Sequence, residues 1–347
     1  MKKIVSSLML ILLAFGAVAA ETKPHTIIFY NVENLFDTED DPQKRDEDYT
    51  PEGKYNWTEA KYQHKLSQIE RVLFEIAARK RDFPTVIGLS EIENRKVVED
   101  VATTPKLKGA NYRVAHFDSP DRRGIDVAML YRPDLFKFEG SKAVRSTIVT
   151  KENRTLYTRD ILTMWGEIEG QSFFFVTIHW PSRWGGAEQS SYLREAAGKQ
   201  TREIIDSVRR IRPESRFVVM GDFNDDPIDK SMERELGAKG STKDMGEGDL
   251  FNPYHSMYKA GYGTLAYGDA WNIFDNIIVS GNLVDGKKGT LQIQRSESNK
   301  KYYGNILKMP YMIQESGKFK GYPFRSFSGG AYASGFSDHL PVFIHLD

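Results

Sequence analysis

The chain has no cysteine in its 347 residues. A disulfide scaffold, a thiolate nucleophile and a zinc-cysteine site are therefore excluded. Charge of one sign is also missing in excess, since 48 Lys and Arg stand against 48 Asp and Glu. A formally neutral molecule exerts no overall attraction on polyphosphates, so an anionic substrate has to be held by a local patch or by metal ions. The apolar run Leu8–Phe15 is far shorter than the roughly 20 residues that span a bilayer. A Ser-centred nucleophile elbow, an HExxH helix and a Gly-rich phosphate loop are all lacking. No internal repeat or Pro/Ser-rich linker divides the chain, and its length is compatible with one large domain.

Residues 1–20 stand apart in composition. Lys2 and Lys3 precede the apolar run, and Ala17, Val18, Ala19 and Ala20 close the segment with small residues suited to signal-peptidase cleavage. The expectation is an exported protein, periplasmic or extracellular, whose mature chain 21–347 is soluble and makes no stable membrane insertion. Removing 1–20 takes away two lysines and no acid, leaving 46 bases against 48 acids.

Beyond Glu21, short β-branched or aromatic runs alternate with helical-period segments. Strands are expected at Thr26–Tyr30, Thr85–Leu89, Asp126–Tyr131, Ile161–Ile168, Phe173–His179, Arg216–Gly221, Asn276–Val279 and Val342–Leu346. Thr58 can cap a helix whose inward stripe is Tyr62, Leu66, Ile69, Val72, Leu73 and Ile76. A second helix carries Tyr192, Ala196, Ile204, Ile205, Val208 and Ile211 at the same period. A single α+β layered domain accommodates this pattern.

The zero charge conceals two biased stretches. Asp37–Asp48 holds seven acids and two bases, and Asp285–Arg325 holds nine bases and three acids. The acidic stretch reads as a solvated loop. The basic one interleaves Tyr302, Tyr303, Tyr311, Phe319, Tyr322 and Phe324 among its cations, which suits stacking on bases beside phosphate contacts but equally suits covering one edge of the core.

Nearly every expected strand runs into acidic, amide or imidazole side chains. Asn31 and Glu33 follow the first, Glu91 the second, and His179 ends Phe173–Ile178. Gly221-Asp222-Phe223-Asn224 follows another strand, and Asp338-His339 precedes the last. Singly, His179 reads as a structural hydrogen-bonder, Asp222 and Asn224 as an Asx turn, and Asn31 as a loop cap. Jointly they supply hard oxygen donors of the kind Mg²⁺, Mn²⁺ or Ca²⁺ accepts, and two histidines able to move protons near neutrality. Metal-assisted attack by water is the reaction type this set fits.

The blocks Tyr30-Asn31-Val32-Glu33-Asn34, Ser90-Glu91, Gly221-Asp222-Phe223-Asn224 and Ser337-Asp338-His339-Leu340-Pro341 resemble, in that order, the signatures of the endonuclease/exonuclease/phosphatase superfamily. The stretch from Asn34-Leu35-Phe36-Asp37 to Trp57-Thr58 further resembles a secreted bacterial branch of it. The resemblance implies a four-layer α/β/β/α sandwich, two mixed sheets packed face to face with helices outside. It implies Glu91, Asn31 and Asp338 as metal ligands, with Mg²⁺ (or Mn²⁺, with Ca²⁺ as a further option) as the cofactor. His339, oriented by Asp275, matches the histidine that serves as base toward water or polarises the phosphate. Asp222 and Asn224 match the residues that position the nucleophile and contact phosphate oxygens, and His179 matches the strand-end histidine on the scissile phosphate. Arg159 falls where some members place a phosphate-binding arginine. Arg123 stands where some nucleases carry a tyrosine, as an anion contact or as part of a surface turn. Two tryptophans in Trp180–Gly186 suit either stacking or a packed lid. The expected substrate is nucleic acid, handled by a monomer without a protein partner; the alternatives are a small phosphorylated metabolite and, ranked lower, a lipid headgroup or a binding role without catalysis.

Overall fold

The computed structural model describes residues 24–347 apart from residue 247. The secretory segment expected over 1–20 lies outside the described residues. In chain order the strands are β1 (His25–Leu35), β2 (Val86–Ile92), β3 (Arg113–His116), β4 (Asp126–Tyr131), β5 (Phe136–Val144), β6 (Ile161–Ile168), β7 (Gln171–His179), β8 (Arg216–Asp222), β9 (Ala238–Lys239), β10 (Leu250–Phe251), β11 (Leu265–Tyr267), β12 (Ala270–Asn272), β13 (Asp275–Ser280), β14 (Asn305–Ile306), β15 (Phe327–Ser328), β16 (Ala331–Tyr332) and β17 (Val342–Leu346). The helices are α1 (Glu59–Lys80), α2 (Arg95–Thr103), α3 (Ala187–Ile211) and the short α4 (His255–Lys259). No described helix is long and apolar enough to cross a membrane.

One sheet has the order β14-β17-β1-β2-β4-β3 and the other β5-β6-β7-β8-β13-β10-β9, while β11-β12 and β15-β16 are separate hairpins. Side chains alternate across each strand, so successive residues enter different layers. Ile27 and Phe29 face the second sheet, meeting Phe173, Phe175, Val218, Met220 and Ile277. Ile28 and Tyr30 face the stripe of α1 and α2 made by Tyr62, Ile69, Val72, Val97 and Val101. On the far side Phe174, Val176, Phe217 and Val219 pack against Ala197 and Ile205 of α3. Three apolar layers between four structural layers make the α/β/β/α sandwich. At Gly88 the sheets come so close that a Cβ would stand 2.8 Å from Met220 Sδ.

Every strand expected from sequence is present, several of them longer. β5 was not anticipated because most of its side chains are exposed or half-buried, so it lacks the apolar alternation of an interior strand. The α1 stripe is buried as expected. Thr58 stands at its N-cap, but its side chain makes no capping bond; its carbonyl accepts from Lys61 and Tyr62 N–H instead.

The expected face of α3 needs correction. The buried residues are Ser190, Arg194, Ala197, Gly198, Thr201 and Ile205, and Ile211 is 77% exposed. Small residues let α3 sit against the short π-helical segment Ser231–Leu236, where a Cβ on Gly198 would meet Ser231 O at 2.5 Å. That close approach rotates Ile204, Val208 and Ile211 toward an open groove of about 630 Å³ shared with Trp165 and Phe174.

Candidate active site

Strand register assembles one half of the site. β7 runs parallel to β8 with His179 beside Asp222, and β13 runs antiparallel to β8 with Asp275 opposite Asp222. The glycine before Asp222 is required by packing: a Cβ on Gly221 would lie 2.3 Å from Ile178 O. Asn224 turns the chain back with a left-handed φ of 51°, and its N–H donates to Asp222 Oδ1 at 2.9 Å.

Strand irregularity assembles the other half. β1 and β2 pair in register to Asn31 and Ser90, then shift to Leu35 and Ile92. Within that bulge Glu33, Asn34 and Glu91 take φ values of 52°, 55° and 61°. Left-handed backbone costs a non-glycine residue on the order of 1–3 kcal/mol and collects at functional sites. Here it folds Asn34 N–H onto Glu91 Oε2 at 3.0 Å and Glu33 N–H onto Asn31 Oδ1 at 3.0 Å. The Ser337 hydroxyl donates to Asn31 O at 2.8 Å and accepts from His339 N–H at 3.0 Å, carrying Asp338-His339 to the same rim.

The two halves meet at Asp222 Oδ2. It accepts from Asn31 Nδ2 at 3.0 Å and lies 3.5 Å from His179 Nε2 and 3.8 Å from His339 Nε2. His339 Nδ1 bonds Asp275 Oδ2 at 2.7 Å. Glu91 Oε1 stands 4.0 Å from His179 Nε2, and Asp338 Oδ1 4.0 Å from His339 Nε2. Asn31, Glu91, His179, Asp222, Asp275, Asp338 and His339 are thus brought together. The Asn224 amide lies beside them and donates to Trp180 O at 3.0 Å.

These neighbours drive the two imidazoles apart. Burial pushes His339 down, but Asp275 and Asp222 overrule it and hold its pKa well above the ordinary value. Burial lowers His179 far below it, helped by the charges of Arg159 and Arg123, and His179 Nδ1 has no hydrogen-bond partner among the described residues. Burial raises the Asp222 carboxyl to about 6 against the opposing pull of His339, with Asp275 adding to the rise. The two imidazoles are therefore biased in opposite directions, His339 toward its protonated form and His179 toward its neutral one, around a single carboxylate.

Oxygen chemistry decides what else fits here. Glu91 and Asp338 offer hard carboxylates, and Asp222, Asp275 and His339 place one ligand atom each within 4.8 Å of one another, a donor set suited to a divalent cation of the Mg²⁺ or Mn²⁺ type. Asn31 is oriented with its amide nitrogen on Asp222 and its oxygen accepting Glu33 N–H, so in this arrangement it positions Asp222. A second cluster, His116, Asp118 and Asp126, lies outside this site; His116 Nε2 faces Asp126 Oδ2 at 3.3 Å.

Arg159 is not at the surface of the cleft. It is buried, donating from Nε to His179 O at 3.2 Å and from Nη2 to Trp180 O at 2.6 Å, with Nη1 on Asp121 Oδ2 at 3.3 Å. It fixes the backbone that carries His179. Arg123 is half-exposed, with Nε 3.7 Å from Asp121 Oδ1. In the loop Trp180–Gly186 the tryptophans separate: Trp180 is buried against Phe223, whereas Trp184 is 89% exposed. Arg183 ties that loop to Asn224 O and to Asp226 and Asp229.

Several site residues carry no signature in the sequence. Arg325 donates from Nη2 to Asp338 Oδ2 at 2.5 Å. A cavity of about 670 Å³ abuts Asp338 and His339 and is walled by Phe274, Tyr267, Phe319, Tyr322, Lys318 and Arg325. The Tyr322 hydroxyl donates to Asp269 Oδ1 at 2.6 Å, joining the β11–β12 hairpin to the basic segment. Of that segment's aromatics, only Phe319 and Tyr322 face the cavity. Tyr302 and Tyr303 pack in the layer between the sheets, and Tyr311 and Phe324 pack on the α1 side.

A sandwich whose strand ends converge on hard oxygen donors and a divided histidine pair is the architecture of a metal-assisted phosphoester hydrolase. The chain belongs to the endonuclease/exonuclease/phosphatase family, whose model matches residues 26–347. Members of that family are phosphoester hydrolases of the nuclease and phosphatase type that use divalent metals, and this protein is one of them. No curated protein matches it in sequence. Among solved structures, D. rerio TDP2 complexed with single-strand DNA product is 14% identical, with 94% of this chain and 100% of that one covered at a TM-score of 0.53. The human Nocturnin catalytic domain with bound sulfate is 15% identical, with 94% of each chain covered at 0.52. A mannosyl-6-phosphatase of Bacteroides thetaiotaomicron is 16% identical, with 93% and 99% covered at 0.54. At these identities the likeness is one of fold.

Proposed function

We propose that this protein is an exported, monomeric nuclease, a metal-dependent phosphodiesterase acting on nucleic acid. The observation that carries the substrate is the aromatic cavity beside His339. Its wall combines Tyr267, Phe319 and Tyr322 with Lys318 and Arg325, the pairing of π-faces and cations that holds a base next to a phosphate.

A divalent ion held by Glu91 and Asp338, with Asn31 nearby, would polarise the phosphoryl oxygens and offset transition-state charge. The protein's own groups then divide the proton chemistry. His339 is kept cationic by Asp275 and Asp222, so it serves the phosphate as a fixed positive hydrogen-bond donor. Asp222, with a carboxyl near 6, is the group able to accept the proton of the attacking water. This reverses the assignment expected for the pair, in which His339 was the base and Asp222 positioned the water. Neutral His179 donates from Nε2, and Arg159 holds the backbone on which it stands. Attack is in line: the water oxygen bonds phosphorus as its proton passes to Asp222, the bond to the leaving oxygen breaks on the opposite face, and that oxygen takes up a proton from solvent.

A panel of plasmid DNA, RNA, bis(p-nitrophenyl) phosphate and p-nitrophenyl phosphate, each with Mg²⁺, Mn²⁺ or Ca²⁺, tests this reading. Cleavage of DNA or RNA together with the diester is expected. Hydrolysis confined to the monoester would replace it with the reading of a small phosphorylated metabolite, which is favoured by Arg325 being already paired with Asp338 and Lys318 being the other cation of the wall. For export, the N-terminus of protein recovered outside the cytoplasm should begin just after Ala20.

A further inference from the structure

Lys65 is fully buried, 0% exposed, and takes no part in the chemistry above. Its ammonium leaves α1 beneath the loop that runs from Ser326 to Phe336. It donates to Ser326 Oγ and to Phe336 O, the latter at 2.8 Å, and so holds both feet of that loop at once. From β1, Glu33 takes the same foot by its backbone, accepting Ser326 N–H at 2.6 Å and Phe327 N–H at 3.2 Å. The feet are also zipped to each other, Ala333 N–H to Ser326 O at 2.6 Å and Phe336 N–H to Phe324 O at 2.7 Å. Their approach is so tight that a Cβ on Gly335 would lie 2.1 Å from Arg325 O. Arg325 precedes this loop and Ser337-Asp338-His339 follows it, so a shift of either foot moves the catalytic rim.

Packing does not require a lysine here. Desolvating an ammonium is costly unless it is paired and hydrogen-bonded, and an apolar side chain of similar volume would fill the space without that cost. What a lysine adds is donors aimed at two separate points of one loop, together with an electrostatic attraction to Glu33. Glu33 in turn is set by the left-handed bulge and by Asn31 Oδ1. The clamp therefore joins the Asn31 side of the site to the Asp338 side through the protein interior.

We propose that Lys65 is a positioning residue: with Glu33 it clamps both feet of the 326–336 loop and thereby sets where Asp338 and His339 stand. The proposal rests on Asp338 and His339 serving the hydrolytic site, but on no particular substrate. Lys65→Met, assayed far below its melting temperature, is expected to lower kcat about 100-fold with KM unchanged, the scale of loss that an ångström of misplacement brings. A merely structural lysine would lower the melting temperature and leave the kcat of the folded fraction untouched. Amide hydrogen exchange gives a readout free of catalysis: residues 326–339 should exchange faster in the variant while β8 keeps its protection. Wild-type kcat and wild-type exchange in folded Lys65→Met would overturn the clamp. If that variant does not fold, Ser326→Ala decides: it removes the ammonium's hydroxyl acceptor together with that hydroxyl's own contacts to Gly335 O at 3.4 Å and Phe336 O at 3.1 Å, and keeps the ammonium on Phe336 O; about a tenfold fall in kcat is expected, and wild-type kcat would overturn the proposal. The substrate is whichever panel compound the wild-type protein cleaves. A protein that cleaves only the monoester removes the nuclease reading and leaves this test intact, and the exchange arm stands even without turnover.

Discussion

The two halves of the site are built by opposite means. His179, Asp222 and Asp275 stand at paired positions of three adjacent strands, and ladder register alone brings them together. Asn31 ends the regular pairing of β1 with β2, and Glu33, Glu91 and Asp338 stand where regular pairing fails, on a bulge with left-handed backbone and on a loop held by Lys65, Glu33 and Arg325. A ladder resists displacement because every strand bond opposes it, so that half can carry groups whose spacing matters most for proton transfer. A bulge turns carboxylates off the sheet plane into one volume, as a cation demands, but needs counter-charges to hold it. On the proposed reading, the difference sets the groups that move protons apart from the carboxylates Glu91 and Asp338 that would hold the cation.

Removing the metal should have the largest effect, since it empties one half of its purpose. Excess chelator is expected to abolish hydrolysis and added Mg²⁺ or Mn²⁺ to restore it; activity persisting in chelator would end the division of labour. Next is Asp222→Asn, the point where the halves meet. Its kcat should fall by up to about 10⁴-fold, the upper range for a lost general base, with the circular dichroism spectrum unchanged. Asp275→Asn should cost about 100-fold and let the pKa of His339 fall, visible in an imidazole NMR titration. A His339 pKa that stays high would mean that Asp222 and Asp338 suffice to hold it.

The pH profile gives a smaller, graded effect. Burial raises Asp222 to about 6, and only its deprotonated form can accept a proton. The rate should therefore fall about tenfold per unit below that pH and level off above it. A bound cation would move the limb lower, so increasing the metal concentration should shift it toward acid. The mildest change concerns the cavity: Phe319→Ala or Tyr267→Ala should raise KM for single-stranded nucleic acid several-fold, within the roughly 1–3 kcal/mol that stacking on one base provides. KM for a simple alkyl phosphodiester should stay as it was.

Much of the ladder half is legible in the chain itself. Apolar alternation in Phe173–Ile178 and Phe217–Met220 marks interior strands, and the polar residues after them mark strand ends. The counter-charges are not legible in the same way. Arg325 is one cation among nine in the basic segment, and nothing local distinguishes it from Lys308 or Lys320. Lys65 is different: its place on the buried stripe of α1 can be read from periodicity, although its two acceptors lie more than 250 residues away. The face of α3 misleads because small residues such as Gly198 pack more closely than Ile204 or Val208, and hydropathy alone does not see backbone approach.

By itself, then, the sequence determined the two apolar periodicities, the polar residues at strand ends, and the exclusion of thiol and zinc-cysteine chemistry, because each depends on residue type and spacing along the chain. Tertiary structure decided which imidazole is biased toward its protonated form, which arginine faces the cleft and which holds backbone, and which aromatics line the cavity. Those outcomes depend on distances of a few ångströms between residues hundreds of positions apart, and on how deeply water is excluded around them.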